Sequence, residues 1–302
     1  MKNFVAENES GWLSLPLEEW RDTRDTLHLW TQIVGKIRMK LTPHINHWWN
    51  VPLYVSSRGL TTTAIPYGAE NFEIEFDFIN HQLLISTSRN AVKILPLRPQ
   101  SVARFYRELM TALDSLGIQV KIRAIPDELP NPIPFAEDAE HKSYDAAYAN
   151  RFWRVLVKID HVFKKFRAPF IGKCSPAHFF WGSFDLAVTR FSGRRAPERP
   201  DADSITREAY SHEVISHGFW TGSPPLDAPA FYSYAAPEPN GYKAARVQPE
   251  KAFYSTDFNE FILLYDDVRQ SDAPEETLMK FLDSTYEAGA NLAHWKRAEL
   301  ER

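Results

Sequence analysis

The residues best equipped for chemistry lie between positions 171 and 217. The run Ile171-Gly-Lys-Cys-Ser-Pro-Ala-His-Phe-Phe-Trp-Gly-Ser-Phe-Asp185, continued to Arg195, carries Lys173, Cys174, His178, Asp185, Arg190, Arg194 and Arg195. A second group, Glu208-Ala-Tyr-Ser-His-Glu-Val-Ile-Ser-His217, adds His212, Glu213 and His217. Carboxylates beside imidazoles suit general acid–base catalysis. The same atoms, His178 or His217 with Asp185 and Glu213, also make an N/O ligand set for a metal ion. His212 and His217 are five apart. A helix would separate them by about 140° and a strand would turn them to opposite faces, so this is not the His-Glu-x-x-His arrangement of zinc proteases. Glu213 and His217 share a face in either structure, whereas His212 joins Glu213 only if the strand is bulged. Cys174, next to Lys173 and four residues before His178, has the setting of a thiolate–imidazole pair, against the ordinary packing role of a lone cysteine. The forked guanidinium groups of Arg58, Arg190 and Arg194 match a carboxylate or phosphate, unless they are simply solvated.

These residues need elements to hold them. Apolar positions recur at Leu27, Trp30, Val34, Ile37 and Leu41, and with the same spacing at Phe152, Val155, Ile159, Val162 and Phe166. Each set predicts a helix with one apolar face, stopped by Pro43 and Pro169. Ser101 predicts the cap of a helix carrying Phe105, Leu109 and Leu113, closed at Gly117, and Asp272-x-x-Glu275 predicts a capping box for a last helix through Leu278, Phe281, Leu282 and Tyr286. Strands fill the intervals. Phe72-Glu-Ile-Glu-Phe-Asp-Phe78 alternates, with Phe72, Ile74, Phe76 and Phe78 on one face and Glu73, Glu75 and Asp77 on the other. A strand from Trp49 to Val55 would turn Val51, Leu53 and Val55 inward and Trp48, Tyr54 and Arg58 outward. A third would turn Phe184, Leu186 and Val188 inward and Trp181, Ser183, Asp185 and Thr189 outward.

The expected fold is therefore α+β: two similar halves, each an antiparallel sheet backed by helices, with an internal duplication as its simplest origin. The expected division is residues 1–125, a Pro-rich linker at 126–135, and residues 136–302, the second half lengthened by loops at Pro197–Ile205 and Gly222–Gln248. Four prolines fall within Ile125–Pro134, which stiffens that connection.

Bulk properties narrow the function classes. The chain has 302 residues, 35 Lys plus Arg against 39 Asp plus Glu, and one cysteine. A net charge of −4 without a basic block gives no nucleic-acid footprint. No run is long and apolar enough for a membrane span, and Met1–Ser10 lacks the apolar core of a secretory leader. One cysteine allows neither an internal disulfide nor a cysteine-based zinc cluster. Glycine-rich phosphate loops and the G-x-S-x-G elbow are missing. A cytoplasmic setting is expected, with the oligomeric state open.

Leu27-His-Leu-Trp-Thr-Gln-Ile-Val-Gly-Lys36, His47-Trp-Trp-Asn-Val51, the Gly172–Asp185 segment and Tyr210-Ser-His-Glu-Val214 resemble the bacterial family catalogued as domain of unknown function 5996, over about Trp12 to Trp295. The resemblance implies one single-family unit rather than a fusion. It brings no activity, substrate or cofactor, and it falls on His178, Trp181, Asp185, His212 and Glu213.

The expected catalytic groups are His178, Asp185, Glu213 and His212. The expected substrate contacts are Trp48, Tyr54, Arg58, Trp181, Arg190 and Arg194. They describe an enzyme acting on a small polar or anionic molecule in an aromatic-walled cleft, with a metal as one use of its ligand atoms and no cofactor specified. The alternatives are a non-catalytic small-molecule binder and an oligomeric protein that uses the Trp-rich sheet face as its interface.

Overall fold

Hydrophobic periodicity builds the two helices that organise the molecule. Helix α1 (Arg21–Leu41) buries Leu27, Trp30, Ile33, Val34 and Ile37, and α3 (Ala146–Arg167) buries Phe152, Val155, Ile159, Val162 and Phe166. The computed structural model describes residues 11–302; the Met1–Ser10 stretch read above for a leader lies outside them. After α1 come β1 (Tyr54–Val55), β2 (Gly59–Thr61), β3 (Ile65–Tyr67), β4 (Glu70–Asp77), β5 (Gln82–Thr87), β6 (Val92–Pro96) and α2 (Val102–Ser115). After α3 come β7 (His178–Phe180), β8 (Asp185–Arg195), α4 (Ser204–Ala209), β9 (His212–Trp220), β10 (Ala230–Ala236), β11 (Phe253–Ser255) and β12 (Glu260–Leu264). Three helices close the chain: α5 (Tyr265–Arg269), α6 (Pro274–Leu292) and α7 (Arg297–Leu300).

Each half is an antiparallel six-stranded sheet. The first runs β1-β2-β4-β5-β6, with β3 also pairing β4, and the second runs β11-β12-β10-β9-β8-β7. Leu53 and Phe179 exchange two backbone hydrogen bonds of 2.9 Å, which joins the sheets at their β1 and β7 edges. Helix α3 packs across this junction, on β1, β2 and β8, while α6 packs on β9 and β10. The helices bury one face of each sheet, and a single apolar cluster runs through both halves. This is the α+β, two-half architecture expected from the sequence.

Alternation in β4 holds: Phe72, Ile74, Phe76 and Phe78 are buried. The acidic row opposite is satisfied locally. Thr61 donates to Glu73, Ser56 donates to Glu75 at 2.5 Å, and Arg58 donates to Asp77 at 2.8 and 3.0 Å. Burial alone would raise the Asp77 carboxyl; the amides of Asn80 and Ile79 with Arg58 more than reverse this and hold it below its ordinary value.

Three expectations change. The strand expected from Trp49 to Val55 is only Tyr54–Val55, because Pro52 has no N–H for a ladder and His47 and Trp48 adopt left-handed backbone, at φ 60° and 59°. The expected loop Gly222–Gln248 contains β10, a strand in the interior of the second sheet. Helix α6 is not opened by the Asp272 box; it starts with Pro274 in the first turn and has no side-chain cap.

Candidate functional site

The register of the second sheet decides which candidates can meet. In β8, Leu186, Val188 and Arg190 face the helices, and Asp185, Ala187, Thr189 and Phe191 face outward. The pairs Val188 with His217, Arg190 with Ile215 and Ala187 with His178 put His217 on the helix side and His178 outward. The expected trio of His178, Asp185 and Glu213 does not converge: Glu213 shares the parity of His217, on the helix side. There it accepts from Ser192 at 2.8 Å and from Arg194 at 2.9 Å, while Arg194 also donates to the Ala293 and His294 carbonyls at the end of α6. This pair latches a helix terminus. Among the described residues, no three His, Cys, Asp or Glu side chains are grouped to hold a metal ion.

Most of the expected substrate contacts are packing residues. Trp181 is buried against Gly35 of α1 and donates to the Val51 carbonyl at 2.9 Å. Arg190 is buried with its guanidinium 3.5 Å from the Phe166 ring centre and 4.3 Å from that of Tyr286, and it donates to the Phe166 carbonyl. Arg58 is committed to Asp77. Trp48 packs edge-on to His44, with centroids 4.6 Å apart. Cys174 lies opposite Arg190 in a backbone bridge, which places it on the helix side while His178 faces outward, and burial pushes its thiol up. Tyr54 and His178 do meet, at 3.4 Å between the hydroxyl and Nε2. Burial drives His178 down to about 3, with Arg167 and Arg38 adding to it, so its imidazole is neutral.

Asp185 stands at the centre of a different constellation. Its carboxylate accepts from Ser183 at 2.5 Å and from the Tyr232 hydroxyl. Tyr232 reaches it across β9 because Gly218 lies beneath the ring; a Cβ at Gly218 would collide with the phenol. Tyr232 stacks on Tyr234, with ring planes 17° apart, and the Tyr234 hydroxyl meets that of Tyr210 at 2.8 Å. Glu260 pairs with this row from β12, since Phe261 lies opposite Ser233 and Glu260 therefore sits on the outward face. Desolvation drives Asp185 up to about 6. Desolvation and then the Asp185 charge drive Glu260 up to about 7. Glu128, from the Pro-rich segment, lies against Gly182, where a Cβ would meet its carboxylate. Desolvation raises Glu128 too, with Asp185 adding to it. Tyr232, Tyr234 and Glu260 are half-buried and Ser183 is exposed, so solvent reaches the edge of the cluster.

With this geometry in hand, comparison with known proteins gives one positive result. A family model described as a family of unknown function, DUF5996, matches residues 12–302. The chain belongs to the DUF5996 family. No curated protein and no solved structure matches it.

For this DUF5996 protein, sequence reasoning named Asp185 but not Tyr232, Tyr234 and Glu260, which share its face of the sheet. Phe231-Tyr-Ser-Tyr-Ala235 carries strand-type alternation between Pro229 and Pro237, a signal submerged in the proline-rich composition around it. Glu260 could not be placed until β12 was paired with β10. His212 faces outward but belongs to another group, beside His47, with ring centroids 5.5 Å apart. Along β8, six residues separate Asp185 from Phe191 at that end, or roughly 20 Å at the strand rise.

Proposed function

We propose that this protein is an enzyme acting on a small neutral or amine-bearing molecule, with Asp185 and Glu260 as its proton-transfer groups. The supporting observation is the pair of carboxyls on one sheet face, displaced to about 6 and about 7, where a carboxyl can both give and take a proton near neutral pH. Tyr232 would orient Asp185 and share its proton, and Tyr234, Tyr210 and Trp220 offer flat surfaces beside it. The acidic surroundings, with Glu128 and Asp203 among the charges felt there, disfavour the anionic substrate that the arginines first implied. A cytoplasmic setting is part of this proposal, in keeping with the one free cysteine, Cys174.

The test is a thermal-shift screen of the wild type, Asp185→Asn and Tyr232→Phe against monosaccharides, small amines and, as the opposing class, sugar phosphates. A hit among the first two classes that is lost in both variants supports the reading. Stabilisation by phosphates alone, or hits indifferent to both substitutions, overturns it.

A further inference from the structure

The opposite end of the same face carries a basic group that the reading above does not use. Lys173 Nζ lies 2.6 Å from His47 Nε2. An ammonium has only donors, so Nε2 accepts and His47 carries its proton on Nδ1. Nδ1 in turn lies 3.0 Å from the Glu208 carbonyl and 3.3 Å from that of Ala209, both acceptors only. The two contacts fix one tautomer, with a lone pair aimed at Lys173. The backbone is strained to hold this aim, because His47 and Trp48 are both left-handed.

Lys173 is set against aromatic carbon, 5.2 Å from the Trp49 ring centre and 4.9 Å from that of Phe191. Its backbone carbonyl accepts from the Phe191 amide at 3.0 Å, which fixes it beside β8. Among the described residues no carboxylate lies within 4 Å of its ammonium. The nearby Glu208 carboxylate is occupied by His44, at 2.8 Å, and by the His47 amide. His212 completes the group, with Arg195 opposite it in the ladder. Burial lowers both Lys173 and His47. A lysine that donates to a neutral imidazole, is partly desolvated and lacks a counter-ion is placed as a nucleophile rather than as half of an ion pair.

We propose that Lys173 is a reactive amine that forms an imine with a small 2-oxo acid. Lys173 passes a proton to His47 Nε2. The freed Nζ pair then attacks the carbonyl carbon, the C–O π bond opens, and its oxygen takes a proton from the imidazolium to give a carbinolamine. The attacking nitrogen, left with two protons and a positive charge, gives one of them through His47 Nε2 to the hydroxyl, which leaves as water while the nitrogen pair forms the C=N bond. The imine keeps the other proton and the positive charge Lys173 began with, and no electron acceptor or donor is needed. Arg195 supplies the positive charge for the acid group, and His212, held neutral by burial with Lys173 and Arg195 beside it, offers a ring nitrogen next to it.

The experiment is borohydride trapping of the whole protein with pyruvate at neutral pH, read by peptide mass spectrometry, with hydroxyacetone as the uncharged comparison. Lys173 is expected to be modified at least about tenfold faster than any exposed lysine, and His47→Gln is expected to bring it down to their rate while circular dichroism stays unchanged. Labelling of Lys173 no faster than exposed lysines in the wild type overturns the proposal, whatever the variant does. Equal labelling by hydroxyacetone overturns the assignment to an oxo acid. Neither result bears on Asp185, so the two sites fail separately.

Discussion

Replacing Asp185 with asparagine should stabilise this protein, and by an amount that grows with pH. The folded carboxyl is raised from 3.8 to about 6. Between those values the unfolded chain has already lost the proton while the folded chain still holds it. The folded state therefore binds more protons, and stability falls as pH rises through this window. A displacement of about two pH units at 1.36 kcal/mol each comes to about 3 kcal/mol, fully expressed above about pH 7. Asp185 is 5 % exposed, so solvent screening removes little of it. The amide does not titrate, and its hydrogen bonds remain available: Tyr232 can donate to its oxygen, and the Ser183 hydroxyl can turn to accept from its nitrogen. Weaker, uncharged bonds subtract a fixed offset of about 1 kcal/mol, which leaves the slope intact. Urea denaturation of both proteins from pH 4 to pH 8, followed by tryptophan fluorescence, measures the difference directly. A difference that is flat within about 0.5 kcal/mol, or that shrinks as pH rises, would refute the argument that Asp185 is held against its own ionisation.

Two further outcomes follow from the helix side of the sheet. Arg190→Ala should cost about 3 kcal/mol in the same denaturation assay, by emptying the space between Phe166, Phe170 and Tyr286, yet leave the Asp185 titration measured by carbon NMR where it was. His217 is fully enclosed and held well below 6.5 by burial and by Arg190, so the unfolded chain gains a proton that the folded chain refuses. Stability should fall by about 1.4 kcal/mol for each pH unit below 6.5 on its account, and His217→Gln should flatten that slope when midpoints at pH 6.5 and 4.5 are compared.

What could be read in advance followed from how far each inference depended on long-range pairing. Alternation in Phe72–Phe78 and the helical spacing of α1 and α3 are local, and they fold as written. Parity along β8 was equally local, and it held the answer for Arg190, which shares the inward positions of Leu186 and Val188. The arginine was assigned to a substrate because its forked guanidinium matches an anion, and only the stack of Phe166, Phe170 and Tyr286 explains why it is tolerated inside instead. Trp181 was placed outward by extending the alternation of β8 back to it; it lies in the turn before that strand and is buried because Gly35 leaves room for its indole. Glu213, His217 and Glu260 could not be assigned to faces without knowing which strands pair. Tyr232 needed a tertiary fact, the missing Cβ of Gly218, to become a partner of Asp185.

Both faces of the second sheet carry buried polar groups that burial displaces toward their neutral forms. On its helix side, Glu213 and Arg194 satisfy each other. There Arg190 donates to the Phe166 carbonyl and His217 bonds Thr285 at 3.2 Å, while Arg190 Nε and His217 Nδ1 are buried without a partner among the described residues and burial lowers both groups. On its outward side, Asp185, Glu260, Lys173 and His178 are all displaced toward their neutral forms by burial. Left-handed backbone at bulky residues lies beside the same groups: Phe184 and Glu128, both at φ 58°, flank Asp185, and His47 and Trp48 flank Lys173. Packing fixes these positions, as Phe184 is locked by Phe152, Phe179 and His28 with centroids 5.2 Å away in each case. A surface that needed only to be wet would relax each feature with one lysine, one glycine or one exposed rotamer. What sets the outward face apart is the kind of group displaced there, two carboxyls at one end and a lysine at the other, and the proposed proton transfer and nucleophilic attack rest on that pairing of chemistry with position.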